Sequence, residues 1–424
     1  MSDINVKMKD KKTYGFLQYL FVILLILESN SIYSQIYGIH LIIRSFLIMF
    51  SIGIILFFLI VTKPKLYKNI FGFVIYIFIS GLLMFINTDS LNGKIIIILV
   101  FLLYLPLTLI YISNLKIKGL IDLLKKFVNV VIVLCIISMI FWVMSSIFNI
   151  LRPTSTIKTV WGKPYSIFDT FFYLHFNTQD VWWITGSPLI RNTGIFVEGP
   201  MYAYILIIAL IFNNLLCFEE TKSNLRKNAI LFITMISTFS VTGVICAILL
   251  IIPNYIYHLK KKKKNKKLYT IMIVIVLVMI LITIPFWINL LNKKLQTGSA
   301  IHRQMDIKNG LEIFVKKPVL GNGILYDKIS EDDYENGYGY SNTIIPVLTD
   351  GGIMLGLIYL LPVILLMYKN FKWDRKNINK YILLSLIYMI ILFTTLVQYR
   401  LTLMFLIAII YYLQFNIRRF KEKI

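Results

Sequence analysis

Residues 46–61 read FLIMFSIGIILFFLIV, and residues 95–111 and 271–287 are comparable apolar runs. None of the three alternates apolar with polar residues, so their pattern indicates helices rather than strands. A helix needs about 20 mostly apolar residues to cross a bilayer core, and the residues flanking each run extend it toward that length. The runs therefore predict transmembrane helices.

The composition extends this interpretation to the whole chain. Hydrophobic residues make up 58% of the 424 residues and charged residues only 15%, whereas a soluble domain has roughly 25% charged residues. The sequence predicts an all-α integral membrane protein with a single polytopic domain. Hydropathy places about twelve spans, at residues 14–34, 41–62, 70–87, 94–113, 127–150, 197–217, 229–240, 242–257, 268–290, 343–367, 381–397 and 401–416.

The net charge of +24 could indicate a nucleic-acid-binding protein, but the position of the charges argues against it. Most of the excess Lys and Arg lies in the loops on one side of the predicted spans, and such loops are normally cytoplasmic. Residues 260–267, seven lysines and one asparagine, anchor that side. Both termini are therefore expected in the cytoplasm, and no nucleic-acid partner is expected.

Residues 229–257 are long for one crossing and have basic loops on both sides. Because both flanking loops are basic, both should be cytoplasmic. The segment between them must then cross the membrane an even number of times or form a re-entrant hairpin. Small and polar residues between Ser237 and Gly243 would suit a turn. We predict two short helices that meet there; the alternative is one long tilted span.

Two long loops, 151–196 and 291–342, are expected on the outer face, where they would contain short interfacial helices and carry the chemistry. The chain has no Gly-rich phosphate loop and no cluster with metal-ligand spacing. Glu331 and Asp333 are spaced like a metal-binding pair, but nucleotide-sugar metal sites belong in the cytoplasm. No cofactor and no metal are expected. The first apolar stretch has no cleavage pattern for a signal peptide, and no disulfide is predicted because no cysteine lies in an outer loop.

The first outer loop is rich in aromatic residues. Trp182, Trp183 and His175, with nearby carboxylates, would suit a sugar, because C–H groups pack on rings while hydroxyls bond to polar groups. The alternative is an ordinary aromatic belt at the membrane interface.

The loop re-enters the membrane through Arg191 and Glu198. A carboxylate beside hydrocarbon is costly, and it is therefore a functional signal. Gly194, Gly199 and Pro200 break the helical pattern around it. The alternative is that Glu198 serves only as the ionic partner of Arg191.

In the second outer loop, Ser299 can cap a helix that ends before Pro318. Helical spacing predicts an interfacial helix with an apolar stripe on one side and Arg303 on the other, stacked with Gly310. Lys308 is a candidate contact for a lipid headgroup or substrate. Three further candidate substrate-binding residues follow this helix, and they are Asn342, Asp350 and Arg400.

Four segments together resemble bacterial O-antigen ligases and Wzy-type repeat-unit polymerases. They are RNTGIFVEGPMYA (191–203), FITMISTFSVTGVICAILL (232–250), HRQMDIKNGLEIFVKKPVLGNG (302–323) and SNTIIPVLTDGGIMLGL (341–357). Each segment alone is weak evidence, but their order and the predicted topology also fit the family. The resemblance implies a GT-C-like membrane glycosyltransferase of the bacterial cytoplasmic membrane that uses undecaprenyl-pyrophosphate-linked glycans.

Two departures from the family pattern bear on the reaction. Ser341 stands where ligases carry a histidine, and Glu198 stands where ligases more often have a non-acidic residue and polymerases often have Glu. Both favour a polymerase over a ligase. The family then implies Arg191, Arg303 and Glu198 as catalytic residues, lipid-linked donor and acceptor glycans as substrates, and a chain-length regulator and a flippase as partners.

Two other classes of function stay open. A lipid-linked oligosaccharide flippase is also polytopic and cationic, but transporters usually have repeated halves, which this sequence lacks. A non-catalytic scaffold would not explain Arg191 and Glu198 at the membrane edge.

Overall fold

The computed structural model describes residues 2–62, 64, 65, 67–148, 150, 151, 154–159, 164–167, 176, 177, 190–216, 222–261, 298–325, 340–373 and 378–421. Trp182, Trp183, His175 and the predicted span at 268–290 lie outside these residues.

Helices dominate the described residues. They are α1 (Ser2–Glu28), α2 (His40–Thr62), α3 (Lys68–Asn87), α4 (Leu91–Asn114), α5 (Ile117–Ile147), α6 (Gly199–Leu216), α7 (Lys222–Ser237), α8 (Val241–Lys261), α9 (Gly298–Lys316), α10 (Ile344–Trp373), α11 (Ile378–Thr394) and α12 (Leu401–Lys421).

Six of these helices, α2 to α6 and α10, are long and apolar enough to cross a membrane. Shorter apolar helices lie within α1, α8, α11 and α12. The chain is thus a helical membrane protein, while the count of twelve spans stays a prediction.

Helices α6 and α12 form the centre of the described bundle. Nearly every side chain of α6 and of residues 401–414 is buried. Both helices are apolar on all sides, which is the pattern of a helix surrounded by other helices. Helix α12 packs against α10 and α4, and α6 packs against α8 and α5. The start of each central helix therefore lies among several neighbouring elements.

Hydrogen bonds identify the two ends of the bundle. At one end, which we call the loop end, the α1–α2 connection bonds to residues 195 and 197, and residue 192 bonds to the α7–α8 turn. At the other, the basic end, the Asn114 side chain bonds to the backbone of Lys65, and Tyr412 bonds to the carbonyl of Leu115. Lys65 and Leu115 belong to the segments 63–69 and 114–126, which the sequence predicts to be cytoplasmic loops, so their described contacts mark the basic end.

The structure differs from the sequence prediction at the end of the first span. Helix α1 ends at Glu28, six residues before the predicted boundary. Asn30 has a left-handed backbone (φ 59°), and a 3-10 turn follows at Ile32–Gln35. The chain leaves the helix here because the backbone of residues 30 and 32 bonds to another segment, at Val197 and Ile195.

The described part of the first outer loop contains strands, which the sequence did not predict. They form a three-stranded antiparallel sheet, β1 (Ser155–Lys158), β2 (Pro164–Ile167) and β3 (Phe176–Asn177). Much of the rest of this loop, where short interfacial helices were also predicted, lies outside the described residues. The sheet is attached to the α1–α2 connection, where the Tyr37 N–H donates to the Lys158 carbonyl (3.0 Å). The second loop contains the predicted helix, which is α9.

Residues 318–323 form a turn that packs against a kink in α10. Gly352 has φ 60° and ψ −155° there, a conformation that is essentially restricted to glycine. The N–H groups of Asn322 and Gly323 donate to the carbonyls of Thr349 and Asp350, each over 2.9 Å. The kink in α10 thus attaches residues 318–323 of the second long loop to the bundle.

We expect Gly352→Ala to destabilise the protein. A Cβ at residue 352 would lie 2.3 Å from the Val319 carbonyl oxygen, and the backbone strain alone costs about 1–3 kcal/mol. Thermal unfolding in detergent should show a lower midpoint than wild type. Gly53→Ala is the control, because a Cβ there meets nothing within 4 Å. An unchanged midpoint for Gly352→Ala would show that the turn and kink are not needed for stability.

Candidate functional site

Residues 190–198 form a buried turn that leads into α6 at the loop end. Gly194 has φ 55°, and a Cβ there would lie 3.0 Å from the Tyr202 ring. The Asn192 side-chain oxygen accepts a hydrogen bond from the Gly194 N–H (3.1 Å). Glycine is therefore required at residue 194, both by its backbone conformation and by the close approach of the ring.

The α7–α8 turn supports this segment from one side. The Asn192 N–H donates to the Ser237 carbonyl (2.9 Å), and the Asn192 amide donates to the Ser237 hydroxyl (3.0 Å). A Cβ at residue 199 would lie 2.8 Å from the Thr238 carbonyl oxygen. The structure thus has two helices, α7 and α8, where the sequence predicts two, and their turn contacts the segment that carries Arg191 and Glu198.

The α1–α2 connection supports the segment from another side. The Ile32 N–H donates to the Ile195 carbonyl (2.8 Å), and the Val197 N–H donates to the Asn30 carbonyl (3.2 Å). The Asn30 amide reaches further, to the Leu396 carbonyl (3.3 Å) between α11 and α12. The α1–α2 and α7–α8 connections therefore contact residues 190–198 directly, and the α11–α12 connection joins them through Asn30.

Arg191 and Glu198 come together in this setting. Glu198 precedes the first residue of α6, and its backbone carbonyl accepts from Met201 (3.1 Å) and Tyr202 (3.2 Å). Burial lowers the pKa of Arg191 below its ordinary value, and the Glu198 carboxylate opposes this shift without cancelling it. The Arg191 side chain also crosses Gly199, where a Cβ would lie 3.1 Å from Cδ. The turn thus places the Arg191 side chain against residue 199 and within electrostatic range of the Glu198 carboxylate, at the start of a central helix.

Helix α9 carries Arg303 and Lys308 at the loop end. Its Gly310 packs against Ile345 of α10, and Asp306 on the same face is buried. Arg303 precedes Asp306 by three residues and Gly310 by seven, so helical periodicity places residue 303 on the same face of α9. The structure does not describe the Arg303 side chain. Lys308 is exposed, and so are the predicted apolar residues Met305, Leu311 and Val315.

Asn342 lies at the start of α10, and its side-chain oxygen accepts from the Ile345 N–H (3.0 Å). This contact is a helix cap, so Asn342 has a structural role whether or not it also binds substrate. The neighbouring Ser341 hydroxyl is buried and has no hydrogen-bond partner among the described residues.

Asp350 lies beside the α10 kink and is buried. Its carboxylate accepts hydrogen bonds from the hydroxyls of Tyr399 and Thr349. These contacts tie the kink of α10 to the α11–α12 connection. A role in substrate binding stays a prediction for Asp350.

Arg400 belongs to a cluster that the sequence did not reveal as a unit. Glu28 is fully buried, and its Oε1 lies 2.7 Å from Arg44 Nε and 3.4 Å from Arg400 Nη1. Glu28 Oε2 accepts from the Leu401 N–H (2.8 Å) at the start of α12. The only sequence signal was a charged residue at each span end, which does not identify the partners.

Neither a metal group nor a disulfide is found within the described ranges. No set of three or more His, Cys, Asp or Glu side chains there could hold a metal ion. Of the described cysteines, Cys135 and Cys246 are buried free thiols.

Comparison with known proteins places the chain near one family. Residues 228–360 match the family model described as O-antigen ligase. The match runs from α7 through α9 to the middle of α10, so it includes Arg303 and Asp350 but not Arg191 or Glu198. No curated protein and no solved structure matches the chain. The match supports a membrane enzyme of the O-antigen ligase and polymerase type, without distinguishing the two.

Proposed function

We propose that this protein polymerises undecaprenyl-pyrophosphate-linked oligosaccharide repeat units into a surface polysaccharide, such as a capsule or O-antigen. The observation that carries the proposal is that Arg191 lies against residue 199, within electrostatic range of Glu198, at the start of a central helix and next to three other connections of the loop end. The family match at residues 228–360 supports the same class of lipid-linked substrate.

The proposed reaction joins two lipid-linked glycans. A hydroxyl oxygen of the acceptor sugar attacks the anomeric carbon of the donor and forms the new C–O bond. The bond between that carbon and the donor pyrophosphate breaks, and its electron pair stays on the pyrophosphate. Glu198 takes the proton of the attacking hydroxyl, and undecaprenyl pyrophosphate leaves.

Arg191 and Arg303 have the chemistry to stabilise the leaving group. A guanidinium presents its N–H donors in a planar fork, which matches a phosphate through two parallel hydrogen bonds. Fixed donors that meet developing negative charge favour the transition state over the ground state. Residue 303 lies on the face of α9 that packs toward α10, which is compatible with its joining Arg191. Cleavage of the bond between the donor sugar and its pyrophosphate supplies the driving force, so the reaction needs no cofactor.

The second candidate is a ligase, and the description of the matching family favours it. A ligase transfers the glycan once, to a chemically different acceptor such as lipid A core, a wall polymer or a protein. Ser341 argues against it, because a hydroxyl cannot replace a histidine as a base. Glu198 supplies a base for the polymerase instead.

Purified protein and one preparation of lipid-linked repeat units distinguish the two candidates. The polymerase should produce a ladder of products from this single substrate, because each lipid-linked unit can act as donor and as acceptor. If no ladder forms, and transfer begins once a foreign acceptor is added, the protein is a ligase.

The proposal also fixes an orientation, with the loop end outside the bacterial cytoplasmic membrane and both termini inside. In a background without the three native cysteines, Lys308→Cys should react with an impermeant maleimide on intact cells. Lys116→Cys, exposed near the basic end, should react only after permeabilisation. The reverse pattern would overturn the outer-face site.

A further inference from the structure

The cluster around Glu28 carries more positive than negative charge. Arg44 and Arg400 both contact the Glu28 carboxylate, and their side chains are 10% and 14% exposed. Arg44 also donates to the Tyr399 carbonyl. Two guanidinium groups and one carboxylate leave a net charge of +1 in a place with little solvent, and such charge is costly unless an anion balances it.

His40 adds to this cluster a ring nitrogen that has no hydrogen-bond partner among the described residues. It is the first residue of α2, one turn before Arg44, and it lies within electrostatic range of both Arg44 and Arg400. Its Nδ1 is buried and makes no hydrogen bond with the described residues. Buried polar atoms normally have a partner, so a ligand is one explanation.

An open groove next to Arg44 shows what kind of ligand fits. The groove is open to the surface and runs between α2 and α4. It is lined by Leu41, Arg44, Ser45, Ile48, Asn92, Ile95, Ile96 and Leu99. Mostly apolar walls with one arginine among them suit a lipid whose head is a phosphate.

The proposed polymerase needs two places for such a head. The donor gives up its pyrophosphate, but the acceptor keeps its own. In the acceptor, a whole repeat unit separates the pyrophosphate from the attacking hydroxyl. The acceptor head must therefore be held apart from Glu198. The cluster lies on α1, α2 and the α11–α12 connection, whereas Arg191 lies before α6; both are at the loop end, joined through Asn30.

We propose that His40, Arg44 and Arg400, held in place by Glu28, bind the pyrophosphate of the acceptor lipid, with the first part of its polyprenyl chain in the α2–α4 groove. This inference rests on the proposed function, since only a polymerase retains a second lipid pyrophosphate. Glu28 is the positioning residue, because its carboxylate contacts both guanidinium groups and the N-terminus of α12.

Native mass spectrometry in nanodiscs of neutral lipid, with glycan-free undecaprenyl pyrophosphate as the probe, tests the site without any turnover. Wild type should bind two equivalents, Arg400→Gln and Arg191→Gln one each, and the double variant none. Arg226→Gln, which removes an exposed charge next to the basic end, should still bind two. Two equivalents bound by Arg400→Gln would overturn the proposal.

Two further arms keep the result interpretable. If Arg400→Gln does not fold, His40→Gln replaces it as the test variant. Its unfolding midpoint should match wild type, and its second equivalent of undecaprenyl pyrophosphate should dissociate at least tenfold more readily. Wild-type binding by a folded His40→Gln would overturn the proposal. Loss of the second equivalent in nanodiscs rich in phosphatidylglycerol would show a site for bulk anionic lipid and overturn the acceptor assignment. Two equivalents without a product ladder would show a second pyrophosphate site but overturn its assignment to the acceptor of a polymerase. A ladder with one equivalent would keep the polymerase and overturn the second site.

Discussion

Replacing Glu198 with Gln should lower the turnover of lipid-linked substrate by about 10² to 10⁴, the usual contribution of a general base. Gln keeps the shape of the side chain but cannot accept the proton of the attacking hydroxyl. Binding of the substrate should therefore stay close to wild type. The measurement is the initial rate of product formation by purified protein, with substrate binding measured separately.

The alternative role for Glu198 is that of an ionic partner for Arg191, and a double-mutant cycle separates the two. If Glu198 only holds Arg191, Arg191→Ala with Glu198→Gln should be no slower than Arg191→Ala alone. Glu312→Gln is the control, because this exposed carboxylate lies on α9 away from the turn. A rate within about twofold of wild type for Glu198→Gln would rule out Glu198 as the base.

Removing the guanidinium at residue 191 or 303 should have an effect of similar size. Arg191→Ala and Arg303→Ala should each reduce the rate by about 10² to 10³, as expected when one donor to a developing negative charge is lost. Arg303→Lys should also be strongly impaired, since an ammonium keeps the charge but not the planar fork. The assay is polymer yield and length at equal protein level.

Lys316→Ala is the control for these arginines, because it removes an exposed charge from the last turn of α9. It should leave polymer length and yield unchanged. Wild-type polymer from both Arg→Ala variants would contradict a role for the arginines in holding the donor pyrophosphate.

The sequence predicted the features that depend on neighbouring residues. Small polar residues between Ser237 and Gly243 predicted a turn, and the structure has it at residues 238–240. Helical spacing on residues 299–316 predicted one face with Gly310 and another with an apolar stripe. In the structure Gly310 packs on Ile345, while Met305, Leu311 and Val315 are exposed. Local pattern determines such features, so they can be predicted from sequence.

Features that depend on distant residues could not be predicted. Hydropathy carried the first span past Glu28 because Ile32 and Tyr33 follow the polar residues 28–31, but the chain turns at Asn30 to bond with Val197 and Leu396. Glu28, Arg44 and Arg400 are far apart in sequence, and only the packing of α1, α2 and α12 brings them together. Strands β1 to β3 are two to four residues long, too short to show a period-two pattern.

The lipid product formed per glycosidic bond tests the proposed reaction most directly. Purified wild-type protein, given one lipid-linked repeat unit and excess chelator, should release one undecaprenyl pyrophosphate for each new linkage, measured by chromatography of the lipids beside the product ladder. Glu198→Gln should release almost none over the same time. Linkages formed without this release, release of the monophosphate instead, or complete loss of activity with chelator would contradict a metal-independent polymerase with a lipid pyrophosphate leaving group.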